Sequence, residues 1–310
     1  MRECIIAVEE AFRELTLGTA LMPHRVGMAI PANDGWQGVM PAFLAQARSL
    51  TTKIVTVYPH NSTNRNIPNV LATIVINDVE TGRVEAIMDG SHITAMRTGA
   101  VSGVATKHLA RANARRVGVF GAGVQARKQL EAMLEVRRIE SVLVYDTNAE
   151  SAKRLAAETA GSANVSVADN PNAVLESSDI VAIATTSSSP VFNGRLLRPG
   201  MHVNAIGAFT PTTREVDSET VSSCKIVVDS VAAALEEAGD ILIPLNEGMI
   251  QREGIWAELG EIVTGRKQGR TSEEEKTLFK SVGLGIQDAA VARLAFEKAE
   301  KARIGTQIDF

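Results

Sequence analysis

Between Val117 and Ala126 the chain reads Val-Gly-Val-Phe-Gly-Ala-Gly-Val-Gln-Ala, a G-x-G-x-x-A pattern set directly after an apolar run. An amphipathic stretch, KQLEAML, follows almost at once. Gly121 suits a tight turn, Gly123 lets the backbone approach a pyrophosphate, and Ala126 permits close packing of helix on strand. Val124 and Gln125 open that helix, whose first N–H groups and positive dipole end would face the phosphates. A second apolar run, SVLVYD, ends in Asp146, twenty residues beyond Ala126. A carboxylate there accepts from both ribose hydroxyls of NAD and repels the 2′-phosphate of NADP. No arginine stands at 147 or 148, although Thr147 and Asn148 can hydrogen-bond to a phosphate. The expected cofactor is therefore NAD(H), with NADP(H) as the alternative; the bland reading is a turn whose glycines serve packing alone.

Three cations stand out ahead of this motif. Arg97 lies among small and apolar residues (ITAMRTGA), Lys53 opens a strongly apolar run, and Arg25 follows Met22-Pro23-His24. A buried cation is costly unless an anion meets it. A substrate carboxylate would do so, and arginine offers it bidentate geometry. Alternatively each cation reaches solvent or pairs with Asp78 or Asp89. Asp229 ends the run KIVVD, where a parallel strand would deliver it to the ligand-binding edge of a sheet. It could relay a proton to or from a substrate nitrogen, or cap the helix that follows. The five histidines show no metal-ligand spacing, so no metal site is expected.

The elements that must position these groups follow from periodicity. Ile5, Val8, Phe12 and Leu15 predict a helix over 1–18. Residues 25–80 carry β-branched runs without long helices between them, which predicts a mostly antiparallel sheet with a hairpin turn at Thr81–Gly82. The Asn-rich segment Pro59–Pro68 reads as a loop, and His92–Leu109 as a helix capped by Ser91. From Arg115 onward six short apolar strands alternate with helical stretches, the signature of a parallel sheet covered on both faces. The run Ser272–Glu275 reads as the first turn of a helix, and Gly285–Lys301 as a last, Ala-rich helix that packs back on the first domain. The fold class is α/β: a Rossmann-type doubly wound parallel sheet (112–287) inserted into a mixed α/β substrate-binding and dimerisation domain (1–111 plus 288–310).

Composition narrows the function further. The 310 residues are 45% hydrophobic and 22% charged with net charge −4, so no basic excess invites nucleic acid or an anionic membrane. Aromatics at 4% are too few for base-stacking platforms. No apolar run is long enough to span a bilayer, and glutamates near the start argue against a secretory segment. Cys4 and Cys224 form no C-x-x-C and read as thiols of a reducing cytosol, which predicts a cytoplasmic protein.

Five segments together, MDGSHITAMRTGA (88–100), GVFGAGVQA (118–126), NAIGAFTPTTREVD (204–217), VVDSVAAALEEAGDI (227–241) and KSVGLGIQDAA (280–290), resemble the ornithine cyclodeaminase/mu-crystallin family over nearly the whole chain. The resemblance implies a homodimer with a Rossmann domain inserted into the dimerising one. It implies Arg25, Lys53 and Arg97 as contacts of a substrate carboxylate or ketimine, with Asp229 and Lys53 as catalytic groups. It also implies Gly121, Gly123, Val124, Gln125 and Ala126 as the phosphate loop and Asp146 as the ribose contact. By the same resemblance Thr185, Thr186 and Ser187 would form a loop over the cofactor, Gly207 and Ala208 would lie beside the nicotinamide, and Val282 and Gly283 would close near its amide. Ornithine cyclodeaminases carry a glutamate shortly before the Met-Pro of the second strand. Here that stretch is Gly35-Trp36-Gln37-Gly38-Val39-Met40-Pro41, without an adjacent acid. That departure favours an NAD(P)H-dependent oxidoreductase of small α-imino or α-amino acids, reducing a ketimine such as pyrroline-2-carboxylate or dehydrogenating alanine. A cyclodeaminase acting as an ammonia lyase on bound NAD, and a non-catalytic ligand-binding protein, are the alternatives. The chain starts at once with a helix, which predicts a strand or turn ahead of Met1, and the family's usual extension before that helix is absent.

Overall fold

The computed structural model describes residues 1–308 apart from Ser162. The chain divides into two compact units, Met1–Ile5 with Thr98–Gly283, and Ile6–Arg97 with the residues from Leu284 onward. The domain boundaries expected from the sequence are 111/112 and 287/288; the packing units change at 5/6, 97/98 and 283/284.

Helix α1 (Arg2–Leu17) buries Ile5, Val8, Ala11 and Phe12 on one face. Its Glu14 is buried as well, because the carboxylate accepts from the N–H groups of Gln46 (2.9 Å) and Ala47 (3.2 Å) and so holds a strand-connecting turn. Strands β1 (Ala20–Leu21), β2 (Val26–Ile30), β3 (Gly35–Leu44), β4 (Ser49–Val57), β5 (Val70–Asn77) and β6 (Val84–Asp89) form the expected antiparallel sheet. Its order is β1-β3-β4-β5-β6, with β2 also paired to β3. On β4 the residues alternate: Ser49, Thr51, Lys53 and Val55 are buried, while Ile54 is exposed. The period of two thus delivers a lysine to the covered face at the middle of the sheet. The hairpin at Thr81–Gly82 is present, with Gly82 at φ +75° and Asp78 accepting from Thr81.

Two local expectations are corrected here. The polar segment Pro59–Pro68 contains a single helical turn, α2 (Asn61–Asn64), closed by Asn64 N–H donating to His60 O at 2.9 Å. Helix α3 (Gly90–Leu109) begins before Ser91, and Asp89 caps it by accepting from Ser91 N–H at 2.8 Å. Ser91 cannot serve because its hydroxyl already accepts from Ala72 N–H across to β5.

The second unit alternates strand and helix: β7 (Arg116–Phe120), α4 (Val124–Val136), β8 (Ser141–Tyr145), α5 (Ala149–Thr159), β9 (Asn164–Val167), α6 (Pro171–Ser177) and β10 (Ile180–Ile183). It continues through β11 (His202–Ala205), α7 (Ser218–Ser223), β12 (Lys225–Val228), α8 (Val231–Glu237), α9 (Gly239–Asn246), β13 (Ile255–Glu258), α10 (Leu259–Val263) and β14 (Thr277–Lys280). All eight strands are parallel, in the order β13-β12-β14-β11-β10-β7-β8-β9. The order reverses between β7 and β10, which in doubly wound sheets opens the ligand crevice at the carboxyl edge. Interior strands such as β10 are buried at every residue, hence their unbroken apolar runs.

Two strands of this sheet, β13 and β14, were not expected, and β14 lies centrally between β11 and β12. The acidic run Ser272–Glu275 is a bend leading into β14, not a helical turn. Glu275 is drawn to Lys225 on β12 (2.6 Å) and to Thr271 N–H (2.9 Å), which fixes the run to the sheet edge. The last helix, α11 (Gly285–Ala302), belongs to the antiparallel unit and packs on β3 and β4, as expected. The fold class read from the sequence is the observed one. Among the described residues no helix is long and apolar enough to cross a membrane.

Candidate active site

Lys53, Arg97 and Asp288 form a buried cluster in the antiparallel unit. Lys53 Nζ lies 2.6 Å from Asp288 Oδ2, and both side chains are 1% exposed. Arg97, from α3, donates through Nε to Asp288 Oδ1 (3.1 Å) and through Nη1 to Gln287 Oε1 (3.0 Å). For Lys53 and Arg97 the alternative partners Asp78 and Asp89 are engaged elsewhere: one closes its own turn, the other caps α3. Asp288 sits in the first turn of α11, where the helix dipole favours a carboxylate. Burial pushes the Lys53 ammonium down to about 8; Asp288 opposes that shift, and the charges of Arg97 and Arg25 add to it. Arg25 is thus close enough to Lys53 for its charge to be felt there. One guanidinium and one ammonium share a single carboxylate, so among the described residues this buried trio holds positive charge in excess within a low-dielectric setting. One small anion would neutralise such an excess.

The remaining expected site residues lie in the parallel unit, all just beyond the carboxyl ends of strands. Gly121 leaves β7 at φ +93°, and a Cβ there would meet Ala184 O at 2.4 Å, so only glycine makes this turn. Gly123 is the N-cap of α4, without a side-chain cap, and a Cβ on it would meet nothing within 4 Å. Open space in front of uncapped helical N–H groups is the cradle a pyrophosphate needs. Ala126 is fully buried against the sheet. Asp146, one residue past β8, holds the loop by accepting from Ala122 N–H at 2.7 Å. The residues present therefore fit a dinucleotide: the Gly121–Ala126 loop for its phosphates, Asp146 for its ribose.

Asp229 follows β12 and is 1% exposed. Its Oδ2 accepts from Ser281 Oγ (2.7 Å), Val282 N–H (2.9 Å) and Gly283 N–H (2.8 Å), and Oδ1 from Ser230 N–H (2.9 Å). The structure thus joins three expected site residues, Asp229, Val282 and Gly283. The helix-cap alternative for Asp229 is set aside: Ser230 caps α8 by accepting from Ala233 N–H. Thr185, Gly207 and Ala208 meet at another carboxylate, Glu215, which sequence reasoning missed. Thr186 is exposed and Ser187 half-buried on the same loop after β10, where Ser187 N–H donates to Thr185 Oγ1 at 3.1 Å.

Asp288, Gln287, Asp240 and Lys280 were missed with Glu215. One signal was available: Asp288 stands in GIQDAA, an acid on the Ala-rich face of a helix, where a charge is costly unless a cation meets it. Among the described residues no group of His, Cys, Asp or Glu is assembled to hold a metal.

Compared with known proteins, residues 1–303 match the family model of the ornithine cyclodeaminase/mu-crystallin family. The chain is 38% identical to a Δ1-pyrroline-2-carboxylate reductase of Bacillus cereus over 314 residues, covering 100% of this chain and 96% of that protein. It is similar to the solved structure of Thermococcus litoralis Δ1-pyrroline-2-carboxylate reductase in complex with NADH and L-proline, with a TM-score of 0.97 at 47% identity, covering 99% of this chain and 96% of the other. An archaeal alanine dehydrogenase dimer with bound NAD gives a TM-score of 0.94 at 38% identity, covering 100% and 95%.

Proposed function

Because the chain belongs to the ornithine cyclodeaminase/mu-crystallin family, we propose that it is an NAD(P)H-dependent oxidoreductase of small α-imino and α-amino acids, with a cyclic ketimine such as Δ1-pyrroline-2-carboxylate as its substrate. The observation that carries this reading is the excess of buried positive charge around Lys53, where Lys53 and Arg97 share the one carboxylate of Asp288 among the described residues. An α-imino acid brings a neutralising anion as its carboxylate. The cofactor bound in the Rossmann unit, NAD(H) by the carboxylate at Asp146, supplies the hydride that reduces the carbon of the C=N bond.

The chain's own residues bind, orient and protonate. Arg97 and Arg25 take the carboxylate, Arg97 with its fork already aligned by Asp288 and Gln287. Lys53 neutralises it and passes a proton from Nζ to the substrate nitrogen, its pKa near 8 matching a proton donor at neutral pH. Asp229 is the other group for that proton; its oxygens already accept four hydrogen bonds, which favours Lys53 for the transfer and gives Asp229 the strand-end turn to hold.

A second copy of the chain is the partner in this reading. Ile54, Leu71 and Ile87 are exposed on the sheet face opposite α11, where Val75 is half-buried, and an apolar sheet face of that kind needs cover. The dimeric state of the archaeal alanine dehydrogenase supports it. Cytoplasmic residence is supported by two thiols that form no disulfide.

The test is a panel of cyclic ketimines, and pyruvate with ammonia, assayed with NADH and NADPH at 340 nm, beside ornithine assayed for ammonia. Stoichiometric loss of absorbance with a ketimine supports the reductase. Ammonia from ornithine without net NAD change identifies a lyase, and tight ligand binding without turnover identifies a binding protein; either overturns the proposal.

A further inference from the structure

Thr185 follows β10, and Gly207 and Ala208 follow β11; beyond the last rungs of the sheet, their N–H groups all point at Glu215. Its Oε1 accepts from Thr185 N–H (2.7 Å) and Thr185 Oγ1 (2.7 Å), and its Oε2 from Gly207 N–H (2.6 Å) and Ala208 N–H (3.1 Å). Glu215 is 0% exposed, so this carboxylate is filled by protein donors on both oxygens. Gly207 is what lets it approach: a Cβ there would stand 2.4 Å from Glu215 Oε1 and 2.4 Å from Thr185 O.

The acid is itself held. Asp240, from α9, accepts from Glu215 N–H (2.7 Å) and Val216 N–H (3.0 Å), and its other oxygen is 2.6 Å from Lys280 Nζ at the end of β14. Lys280 Nζ donates in turn to Ala208 O. The network closes on itself: Ala208 gives its N–H to Glu215 and its carbonyl to Lys280, and the two acids are joined through the backbone between them. Isolated stability does not require two fully buried carboxylates and an ammonium, since apolar residues of similar volume do that work as well or better. What a closed polar ring supplies is one fixed geometry for the backbone it grips.

We propose that Glu215 is a positioning residue for the nicotinamide half of the dinucleotide, acting through Thr185, Gly207 and Ala208, whose strand-end backbone it locks in place. The proposal rests on the oxidoreductase reading for the identity of the ligand. It assigns Glu215 no contact with cofactor or substrate.

Glu215→Gln keeps the volume and replaces one acceptor oxygen by an NH2 group. That group must face either the Thr185 donors or the Gly207 and Ala208 donors, so one of the two loops is released. Fluorescence titration with NADH, without substrate, is compared with calorimetric titration of ADP-ribose, which lacks the nicotinamide. The expected result is at least a tenfold rise in Kd for NADH with ADP-ribose affinity within twofold of wild type, and partial recovery of NADH binding in Glu215→Asp. Equal loss for both ligands, or none for either, overturns the proposal. Should Glu215→Gln fail to fold, Thr185→Val removes a single donor to the same oxygen. It is expected to raise the NADH Kd about threefold and leave ADP-ribose alone, and an unchanged ratio there overturns the proposal too. Wild type that binds no NADH refutes the oxidoreductase reading itself; wild type that binds NADH but turns over no imino acid refutes only the substrate, and Glu215 is still tested.

Discussion

Lys53, Arg97 and Asp288 in the antiparallel unit, and Lys280, Asp240 and Glu215 in the parallel one, are both buried clusters of three ionisable side chains, with opposite balance. The first has more cations than carboxylates, and its donors have few acceptors within the protein. The second has two carboxylates and one ammonium; three backbone N–H groups and the Thr185 hydroxyl fill Glu215, two more N–H groups meet one oxygen of Asp240, and Lys280 pairs with the other. Burial alone does not mark a functional charge, since all six side chains are largely or wholly inside. The distinction lies in what remains to be satisfied. A cluster with excess positive charge is arranged to receive a ligand, while one whose acids grip backbone N–H groups is arranged to hold the chain.

If that distinction is right, substitutions in the two clusters fail differently. The largest effect is expected at Lys53→Met, which removes both the proton source and part of the carboxylate receptor. The kcat/KM for a cyclic ketimine should fall by about 10⁴, with NADH affinity within a few fold, as read by steady-state kinetics beside fluorescence titration. Arg97→Leu should cost about 10²–10³ in kcat/KM, mostly as a raised KM, because it removes charge-assisted binding and leaves Lys53 in place. Asp288→Asn leaves the buried cations without their carboxylate and should lower stability by about 3 kcal/mol in urea denaturation.

The pH profile follows from the same cluster. The donor form of Lys53 exists below its folded pKa of about 8, so reductive kcat/KM should decline as pH rises through that value. Since Asp288 holds this pKa up, Asp288→Asn should move the decline to lower pH. The linkage to stability has the opposite sense. Between about 8 and the ordinary value of 10.5 the unfolded chain binds the proton that folded Lys53 has lost, so this group's contribution to stability rises with pH across that window. The smallest effect is expected at Asp146→Ser, which removes the repulsion of a 2′-phosphate and should improve use of NADPH relative to NADH by about tenfold.

The same contrast explains how much was legible in the sequence. Gly121, Gly123, Ala126 and Asp146 were readable because a strand, a tight turn and a helix N-terminus follow one another along the chain and constrain residues at fixed offsets. Arg97 and Lys53 were readable as anomalies, charges inside apolar runs, but their partner was not. Asp288 lies 235 residues from Lys53, and only the packing of α11 on β4 joins them. Strand β14 escaped notice because TLFK is short, ends in a lysine and follows an acidic run. Its lysine is tolerated only because Asp240 meets it in the core. Ser91 misled as a helix cap because a hydroxyl suits that role anywhere, and the competing demand of Ala72 N–H arises from a neighbouring strand.

The central claim is that excess charge around Lys53 binds the substrate through its carboxylate. Pyrrole-2-carboxylate is a flat, unreactive mimic of the cyclic ketimine, and pyrrole-2-carboxamide is its neutral counterpart. Calorimetric titration of both into the NADH-loaded protein measures the claim with no turnover to confuse it. The acid should bind at least 100-fold more tightly than the amide, and Arg97→Leu should remove most of the difference. Equal affinity of acid and amide for the wild-type protein would contradict it.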